Sequence, residues 1–302
     1  MSNSLPLVSV LMTAYNRELY IAEAIESVLQ SSYTNFELII VDDVSTDSTI
    51  SIAKKYSEID KRVYVYQNET NLGDYDNRNK AASFAKGMLY KYLDSDDVIY
   101  PYSIEIMVNY YLKYPHIGYI FSDYLNKDHT EPFPIEYTSY QAYKKHFLDT
   151  HLFYAGPGGT LIPANVFKEI GGFSGGRHLG DTEMWLKISL KYSILKIQTS
   201  LIWWRIHSNQ EASLEQKNSA IIGSRYNLMK SYLFKSTLTK IEKKKALFIL
   251  NKNFARQVLK LVLQLKFKQS NILFVDSSFK WYNLFLAFDV SNKLKNILLK
   301  NY

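Results

Sequence analysis

The stretch Tyr92-Leu93-Asp94-Ser95-Asp96-Asp97 places three carboxylates within four residues, directly after an apolar run. If that run is a strand of an open α/β sheet, its end lies at the crevice where such folds bind ligands. Carboxylate oxygens there suit Mg²⁺ or Mn²⁺, which bind through one or two carboxylates plus substrate phosphates. Carboxylates in this arrangement also occur in solvated turns and helix caps. The stretch alone leaves both interpretations open.

Strand and helix patterns alternate around this acidic stretch. Apolar runs of strand length predict strands at 7–12, 36–41, 63–66, 88–93 and 118–122. Apolar residues at helical spacing lie between these runs, and Pro101 favours a helix start soon after the acidic stretch. Strands that alternate with helices of this length pair in parallel through right-handed crossovers. The sequence therefore predicts an α/β fold with a mostly parallel, Rossmann-like sheet.

The alternation weakens between 126 and 180, where proline and glycine indicate loops. The clearest loop is Gly156-Pro157-Gly158-Gly159, a turn that leads into a predicted strand at 160–163. A helix is expected from Asp181, and a strand-like segment from 194 to 206. Beyond 208 the sequence is helical in pattern to its end.

The composition is that of an ordinary globular protein: 302 residues, 47% hydrophobic and 22% charged. Cysteine is absent, which excludes disulfides and thiolate metal sites. The N-terminus lacks a basic segment followed by an apolar one, and no apolar stretch reaches about 18 residues. We therefore expect no signal peptide and no membrane span, and a cytoplasmic protein that acts in solution or at the inner face of the cell membrane.

Charge is divided unevenly along the chain. Residues 217–302 carry 17 Lys and Arg against 3 Asp and Glu, a net charge of +14, whereas residues 1–216 carry a net charge of −7. A basic region of this kind favours an anionic partner. Two interpretations stay open: a helical bundle with lysines on its solvent face, and a peripheral membrane contact with anionic lipid. No nucleic-acid-binding motif is present, so no nucleic acid partner is expected.

Polar residues follow three of the predicted strands, at 13–17, 42–43 and 94–97. In a parallel sheet these strand ends share one edge, which suits a nucleotide with a metal-bound diphosphate. The chain has no GxxxxGKS/T motif, which disfavours a P-loop NTPase. No GxGxxG turn follows a strand, which disfavours a Rossmann dinucleotide enzyme.

The segments that carry these polar residues resemble glycosyltransferase family 2. They are VSVLMTAYNR at 8–17, FELIIVDDVSTD at 36–47, Asn71-Leu72-Gly73, and LDSDD at 93–97. Their order and spacing match the family over about residues 7–210. The resemblance implies a GT-A fold, a nucleotide-sugar donor, a divalent metal (Mn²⁺ or Mg²⁺) and inversion at the anomeric carbon.

The resemblance also implies a set of nucleotide-binding residues. Thr13, Tyr15 and Arg17 would line the nucleotide pocket. Asp43 would accept a hydrogen bond from the base, with a structural carboxylate beside it. Arg78 stands where the family often has an arginine near the nucleotide.

The triplet Asp94-Ser95-Asp96 matches the family's DXD motif. Asp96 would bind the metal, while Asp94 would bind the nucleotide by facing the ribose or a metal-bound water. The next residue, Asp97, is expected to cap the helix that follows.

Inverting transfer requires a general base that takes the proton of the acceptor hydroxyl. The family usually has an acidic pair ahead of an apolar-Trp-Leu helix, and the matching segment here is GDTEMWL at 180–186. Aligned on Trp185, Asp181 takes the base position, and Gly180 replaces the usual Glu. Glu183 would point elsewhere. The alternative role for Asp181 is that of a helix N-cap.

The segment at 204–210 resembles the family's closing motif. His207 would complete the metal shell, or with Arg205 it would bind the departing diphosphate. A structural role for this histidine stays open. Gly158 and Gly159 would form part of the acceptor pocket, with a plain glycine turn as the alternative.

These observations predict a GT-A catalytic domain at 1–215, with its nucleotide-binding half at about 1–125 and its acceptor half at 126–215. A basic helical appendage at 216–302 follows. The predicted function is metal-dependent, inverting transfer from a nucleotide-sugar, most simply a UDP-sugar, to a glycan or lipid-linked acceptor in bacterial surface polysaccharide synthesis. A catalytically silent sugar-nucleotide-binding subunit is the alternative, because of Gly180. A sugar nucleotidyltransferase is disfavoured, because 13–17 is not a glycine-rich basic loop.

Overall fold

The structure is a computed structural model that describes residues 5–122, 132–174, 178–198, 201–207 and 219–264, together with Leu273, Phe279 and Leu284. The chain divides into two compact units. The first is formed by Met1–Thr138 and Tyr154–Ile206, and the second by Ser139–Phe153 and His207–Tyr302. The domain boundary at 215 and the division at 125 remain predictions.

The described elements are distributed between the two units. The strands, all in the first unit, are β1 (Val8–Ala14), β2 (Phe36–Asp42), β3 (Val63–Gln67), β4 (Leu89–Asp94), β5 (Val98–Ile99), β6 (Tyr119–Ser122), β7 (Ile135–Tyr137), β8 (Thr160–Pro163), β9 (Ile194–Ile197) and β10 (Ile202–Trp203). The helices are α1 (Ile21–Leu29), α2 (Thr49–Ile59), α3 (Asp74–Phe84), α4 (Ser103–Lys113), α5 (Ser139–Leu148), α6 (Ala164–Glu169), α7 (Gly180–Lys191), α8 (Ser219–Lys235) and α9 (Lys240–Leu263). Helices α5, α8 and α9 belong to the second unit.

Among the described residues, eight strands form one sheet in the order β3-β2-β1-β4-β8-β6-β9-β7, and β5 pairs antiparallel with β10. Strands β3, β2, β1 and β4 run parallel to one another, and β6 runs parallel to β9. Strand β8 is antiparallel to both β4 and β6, and β7 is antiparallel to β9. The prediction of a mostly parallel α/β sheet is confirmed.

The sheet is buried on both faces, which explains why its central strands are continuous apolar runs rather than alternating ones. All seven residues of β2 are buried, as are six of the seven in β1. Helix α1 contributes Ile21, Ile25 and Val28 to the apolar core, and α4 contributes Ile104 and Met107. This core fixes the positions of the strands whose ends carry the polar residues.

The parallel register brings the ends of β1, β2 and β4 to one edge of the sheet. Thr13 in β1 lies opposite Val41 in β2 and opposite Asp94 in β4. Ala14 lies opposite Asp42. The three polar strand ends are therefore neighbours.

The second unit has an apolar core of its own. Tyr226 of α8 stacks on Phe254 of α9 with ring centroids 4.4 Å apart, and Phe279 lies edge-on to both rings. Helix α9 begins with a capping box, in which the Thr239 hydroxyl accepts from the Glu242 amide at 3.2 Å and Glu242 accepts from the Thr239 amide at 3.0 Å. The predicted helical character holds for the described part of this region. Within the described residues, no helix is long and apolar enough to span a bilayer.

Two details differ from the sequence predictions. Helix α4 begins at Ser103 after Tyr102, without a side-chain cap. The prediction that Asp97 caps it is wrong, because the short strand β5 intervenes and the Asp97 carboxylate binds elsewhere. The expected strand at 194–206 consists of two strands in different sheets, β9 and β10.

Candidate active site

The acidic stretch is held by arginines that come from other elements. Arg17, just beyond β1, donates from Nε to Asp96 Oδ2 at 2.8 Å. Its Nη1 donates to the carbonyls of Tyr15 and Asn16, each at 3.1 Å. Asp96 is 8% exposed, so this ion pair is largely shielded from solvent. The structure thus joins Arg17, predicted to bind nucleotide, to Asp96, predicted to bind metal.

A second arginine holds the first carboxylate of the stretch. Arg78 in α3 donates from Nη2 to Asp94 Oδ1 at 2.7 Å and from Nε to Asp74 Oδ1 at 2.9 Å. Its side chain is 6% exposed. Burial lowers the pKa of Arg78, but the attraction of Asp74, Asp94 and Asp181 outweighs burial and raises that pKa well above its usual value. A permanent cation therefore lies at the end of β4.

The Asp43 carboxylate accepts hydrogen bonds that hold the loop at 71–73 in place. Its Oδ1 accepts from Asn68 Nδ2 at 2.7 Å and from the Leu72 amide at 2.8 Å, and its Oδ2 accepts from the Gly73 amide at 2.9 Å. Gly73 has a φ of 83°, a conformation that favours glycine. These bonds give Asp43 a structural role, and its hydrogen bond to a nucleotide base stays a prediction.

The loop after β1 is bonded to the loop after β2. The Asn16 amide donates to Ser45 Oγ at 2.9 Å, and the Arg17 amide donates to Thr49 Oγ1 at 2.7 Å. Tyr15 is 48% exposed at this edge, where it is accessible to a ligand. Thr13 and Tyr15 thus lie on neighbouring parts of the edge, and their contact with a nucleotide stays a prediction.

Arg205, which follows β10, also binds the acidic stretch. Its amide donates to Asp97 Oδ1 at 3.0 Å, and its Nε donates to the Asp96 carbonyl at 2.8 Å. Its guanidinium also pairs with Glu23 and lies 4.5 Å from the Trp203 ring centroid. Burial, with the charge of Asp94, raises the pKa of Asp97 to about 8.

The glycine turn meets the same stretch. Pro157–Gly159 forms one turn of 3₁₀ helix, in which the Gly159 amide donates to the Gly156 carbonyl at 3.1 Å. A Cβ added to Gly158 would lie 3.9 Å from Asp97 Oδ2. Gly158 and Gly159, predicted for the acceptor pocket, are therefore beside the predicted donor site. A feature that the sequence analysis missed is Lys91, whose ammonium donates to the Gly158 carbonyl.

Asp181 lies in the first turn of α7, half-buried, one residue after the helix start. The N-cap position is Leu179, so the alternative role of Asp181 as N-cap is not supported. Burial raises the pKa of Tyr75, and the charge of Asp181 raises it further and also contributes to the raised pKa of Arg78, so the Asp181 carboxylate lies within electrostatic reach of both residues. Glu183 instead accepts from Ser174.

Tyr75 explains why glycine stands at 180. A Cβ added to Gly180 would lie 2.6 Å from Tyr75 Cε1 and 2.7 Å from two more ring atoms, closer than real Cβ contacts come. Tyr75 is 6% exposed and stacks on Phe173, so its ring cannot easily move aside. A larger residue at 180 is therefore excluded by packing. Tyr75 is a second residue that the sequence analysis missed, because nothing in its local pattern indicates the distant Gly180.

The remaining predicted metal ligand, His207, is half-buried and belongs to the second unit. Its role therefore stays a prediction.

The residues fit a divalent metal that is completed by a substrate. Burial raises the pKa of Asp94, and the nearby charge of Asp96 raises it further, so the two carboxylates are close enough to repel each other. A cation bound between such groups relieves this repulsion. Within the described residues no group of three or more acidic or histidine side chains could hold a metal alone. Mg²⁺ and Mn²⁺ do not require one when phosphates supply the other ligands.

Residues 9–171, more than half of the chain, match the family model Glycosyl transferase family 2. The chain belongs to glycosyltransferase family 2. An uncharacterized glycosyltransferase of Haemophilus influenzae is 30% identical to this family 2 chain over 229 residues, 71% of each protein. The E. coli protein WfgD, a UDP-Glc:α-D-GlcNAc-diphosphoundecaprenol β-1,3-glucosyltransferase, is 36% identical over 118 residues, which are 39% of this chain and 46% of WfgD.

Solved structures of glycosyltransferases share the fold. S. aureus TarS (residues 1–349) in complex with UDP-GlcNAc superposes with a TM-score of 0.60 at 22% identity, over 82% of this chain and 72% of that one. The mannosyltransferase PcManGT of Pyrobaculum calidifontis, in complex with GDP-Man and Mn²⁺, gives a TM-score of 0.57 at 14% identity, over 99% and 82% of the two chains. The predicted GT-A fold is confirmed, and the protein is a glycosyltransferase by family, with relatives in bacterial polysaccharide synthesis.

Proposed function

We propose that this protein transfers a sugar, with inversion, from a UDP-sugar to a hydroxyl of a glycan or lipid-linked acceptor. The proposal rests on one observation: three polar strand ends share one edge of the sheet, and the ion pairs Arg17–Asp96 and Arg78–Asp94 lie at this edge. Two cations beside two carboxylates suit a metal-bound diphosphate, whose negative charge needs both kinds of partner. The name of WfgD, which specifies UDP-Glc, and the complex of TarS with UDP-GlcNAc support UDP as the nucleotide.

Each side of the donor site has a distinct task in this proposal. Asp96 would hold Mn²⁺ or Mg²⁺, which stabilises the charge of the departing diphosphate, while Asp94 would face the ribose or a metal-bound water. Arg17, released from Asp96 when the metal binds, would then turn to the phosphates. Arg205 is already fixed beside the acidic stretch by its bonds to Asp96 and Asp97, and its cation adds to the stabilisation of the leaving group.

Asp181 is the proposed general base. A base must stay ionised until the acceptor hydroxyl gives up its proton. The buried guanidinium of Arg78 lies within electrostatic reach of the Asp181 carboxylate.

The rival function is a silent subunit that binds sugar nucleotides without transfer. Gly180 first suggested it, but the Tyr75 ring accounts for that glycine by packing. The acidic stretch and Asp181 are intact, which favours an active transferase.

The experiment that tests the donor site is calorimetric titration with UDP, GDP and dTDP, each in Mn²⁺ and in EDTA. We expect UDP to bind at least tenfold more tightly with Mn²⁺, and Asp96→Asn to abolish that difference. Asp60→Asn is the matched control, because Asp60 lies between α2 and β3, where it pairs with Arg62, and not at the polar edge of the sheet. Equal UDP binding with Mn²⁺ and EDTA would refute the metal role.

The base assignment is tested on the same samples. Asp181→Asn should reduce transfer from UDP-Glc or UDP-GlcNAc to a synthetic α-GlcNAc-diphosphate lipid by at least about 100-fold, the lower range for a general base. Donor affinity should stay within about threefold. A large loss of donor affinity would show that Asp181 supports the nucleotide site instead.

We further propose that the second unit contacts anionic lipid, where a lipid-linked acceptor would be located. One face of α9 carries the basic residues Lys245, Lys252, Arg256 and Lys260 with the apolar residues Ile249 and Leu263, at spacings of three and four. Leu263 is 75% exposed, and Lys245, Arg256 and Lys260 are exposed. We call these six residues the basic face of α9. A basic helical face with exposed apolar groups is typical of interfacial membrane binding.

A further inference from the structure

Lys91 is a charged residue inside an apolar strand. It lies in the middle of β4 and is 1% exposed. Side chains alternate along a strand, so Tyr90 and Tyr92 occupy one face and Leu89, Lys91 and Leu93 the other. Leu89 and Leu93 belong to the main apolar core. The ammonium group therefore extends from the face of the sheet where a leucine or methionine would pack more easily.

Two backbone carbonyl groups accept hydrogen bonds from the Lys91 ammonium group. It donates to the Gly158 carbonyl and, at 3.3 Å, to the Tyr92 carbonyl. Burial lowers the pKa of Lys91 to about 7, against the attraction of Asp94 and Asp97. Burying an ammonium group is costly even when it is hydrogen-bonded. Packing alone does not account for a lysine here, so its bond to Gly158 is the feature to explain.

The Gly158 turn has little freedom on its other sides. A Cβ added to Gly158 would lie 2.5 Å from Ile202 Cδ1 and 3.9 Å from Asp97 Oδ2. The Thr160 hydroxyl donates to the Pro157 carbonyl at 2.8 Å. Farther back, the indole of Trp185 in α7 donates to the Ala155 carbonyl at 2.7 Å. Lys91 is thus a side-chain link between this turn and the strand that ends in the acidic stretch, in addition to the pairing of β8 with β4.

We propose that Lys91 is a positioning residue that joins the acceptor-side turn Pro157–Gly159 to the donor-side acidic stretch. The inference rests on the proposed function, because it assigns the turn to the acceptor and the stretch to the donor. Attack requires the reacting atoms to be about 3–3.5 Å apart, and a misplacement of about 1 Å can cost 100-fold in rate. The bond from Lys91 to the Gly158 carbonyl is one of the contacts that set this distance. Without Lys91 the donor still binds, but the acceptor hydroxyl loses its alignment.

The test compares Lys91→Met with Tyr90→Phe in the full chain. Methionine is unbranched like lysine, one atom shorter and uncharged, so it fills most of the same space and the fold is expected to persist. Tyr90→Phe is the matched control, because Tyr90 lies on the opposite face of β4 and its buried hydroxyl has no hydrogen-bond partner among the described residues. If Lys91→Met fails to fold, Lys91→Leu removes the same bond with a side chain that matches its core neighbours Leu89 and Leu93.

Three measurements separate the outcomes. Hydrogen exchange in peptides covering 154–163 should accelerate at least tenfold in Lys91→Met, while peptides covering 36–47 stay unchanged. The affinity for UDP with Mn²⁺ should stay within threefold of wild type. The ratio of sugar transfer to the synthetic α-GlcNAc-diphosphate lipid over hydrolysis of the UDP-sugar should fall at least tenfold. Tyr90→Phe should change none of the three.

Opposite results would overturn the inference in distinct ways. Unchanged exchange at 154–163 would show that Lys91 does not hold the turn. Accelerated exchange with an unchanged transfer-to-hydrolysis ratio would reduce Lys91 to a structural residue. A loss of UDP affinity above tenfold would assign it to the donor site. If wild-type protein itself binds no UDP and transfers no sugar, the proposed function fails, and the exchange data still decide whether Lys91 fixes the turn.

Discussion

Val44 adopts a backbone φ of 64° between Asp43 and Ser45, in the left-handed region. A β-branched residue is a conformational outlier there, at a cost of about 1–2 kcal/mol. Hydrogen bonds of the two adjacent residues hold Val44 in this conformation. Asp43 accepts three hydrogen bonds from residues 68–73, and Ser45 accepts one from the Asn16 amide. The strain is therefore stored at the edge where the nucleotide is proposed to bind.

We expect Val44→Gly to raise the free energy of unfolding by about 0.5–1 kcal/mol. Glycine removes the strain of about 1–2 kcal/mol but returns about 0.5–1 kcal/mol as added entropy of the unfolded chain. Urea unfolding of the full chain measures the change. Val44→Ala retains a Cβ at positive φ and should gain less than glycine. A glycine variant less stable than wild type would show that the contacts of the valine side chain outweigh its strain.

Single residues also show where sequence reasoning stops. The acidic stretch, Arg17 and Asp181 could be selected from local motifs. The ion pair Arg17–Asp96 could not, because it joins residues 79 positions apart. Lys91 did carry a signal, since a lysine inside an apolar strand is unusual, but its partner Gly158 is 67 residues away. Local patterns identify residue types, whereas pairing depends on how the strands are ordered in the sheet.

Among the elements, α5 and the segment after it depend on an uncharged histidine. His146 Nδ1 accepts from the amides of Leu152 and Phe153 at 3.0 and 3.1 Å, so this nitrogen carries no proton. Burial, and to a smaller extent the nearby His151, lowers the pKa of His146 from 6.5 to about 3. Between these two values the unfolded chain binds a proton that the folded chain does not. Stability therefore falls as pH drops below about 6.5.

The pH dependence can be measured as a difference between variants. Between pH 7 and pH 5, His146 should lower the free energy of unfolding by about 2 kcal/mol, because the linkage slope is about 1.4 kcal/mol per pH unit. His146→Asn keeps an acceptor near the Nδ1 position but cannot titrate. From pH 7 to pH 5, its free energy of unfolding should therefore fall by about 2 kcal/mol less than that of wild type. His116→Asn removes a different histidine, whose side chain is 58% exposed and pairs with Glu136, and shows whether loss of any histidine gives the same change. Parallel curves for His146→Asn and wild type would contradict the prediction.

The elements themselves were predictable to different degrees. Continuous apolar runs indicated β1, β2, β4 and β6, because strands buried on both faces leave a strong signal. The strand at 160–163 was also expected, but its insertion antiparallel between β4 and β6 was not, since no local feature records which neighbours a strand will have. The Ala-rich sequence predicts a helix at 77–86, but helix α3 starts three residues earlier, at Asp74, because Gly73 ends the preceding loop.

At the scale of the whole molecule, charge is segregated along the chain. Helix α9 alone carries seven Lys and Arg against one acidic residue, Glu242. Each basic residue near an anionic membrane contributes about 1 kcal/mol of attraction, which salt weakens. If the basic face of α9 is the contact, charge reversal there should remove binding far more effectively than the same reversal elsewhere.

Vesicle sedimentation tests this directly. Wild-type protein should bind vesicles of 30% phosphatidylglycerol in phosphatidylcholine, and should not bind pure phosphatidylcholine. The triple variant Lys245→Glu, Arg256→Glu, Lys260→Glu should bind at least tenfold more weakly. The control Lys54→Glu, Lys55→Glu, Lys61→Glu changes net charge equally at exposed positions in and after α2 and should bind like wild type. Equal losses in both variants would mean that total charge, rather than the basic face, drives binding, and no binding by wild type would leave the second unit without a membrane role.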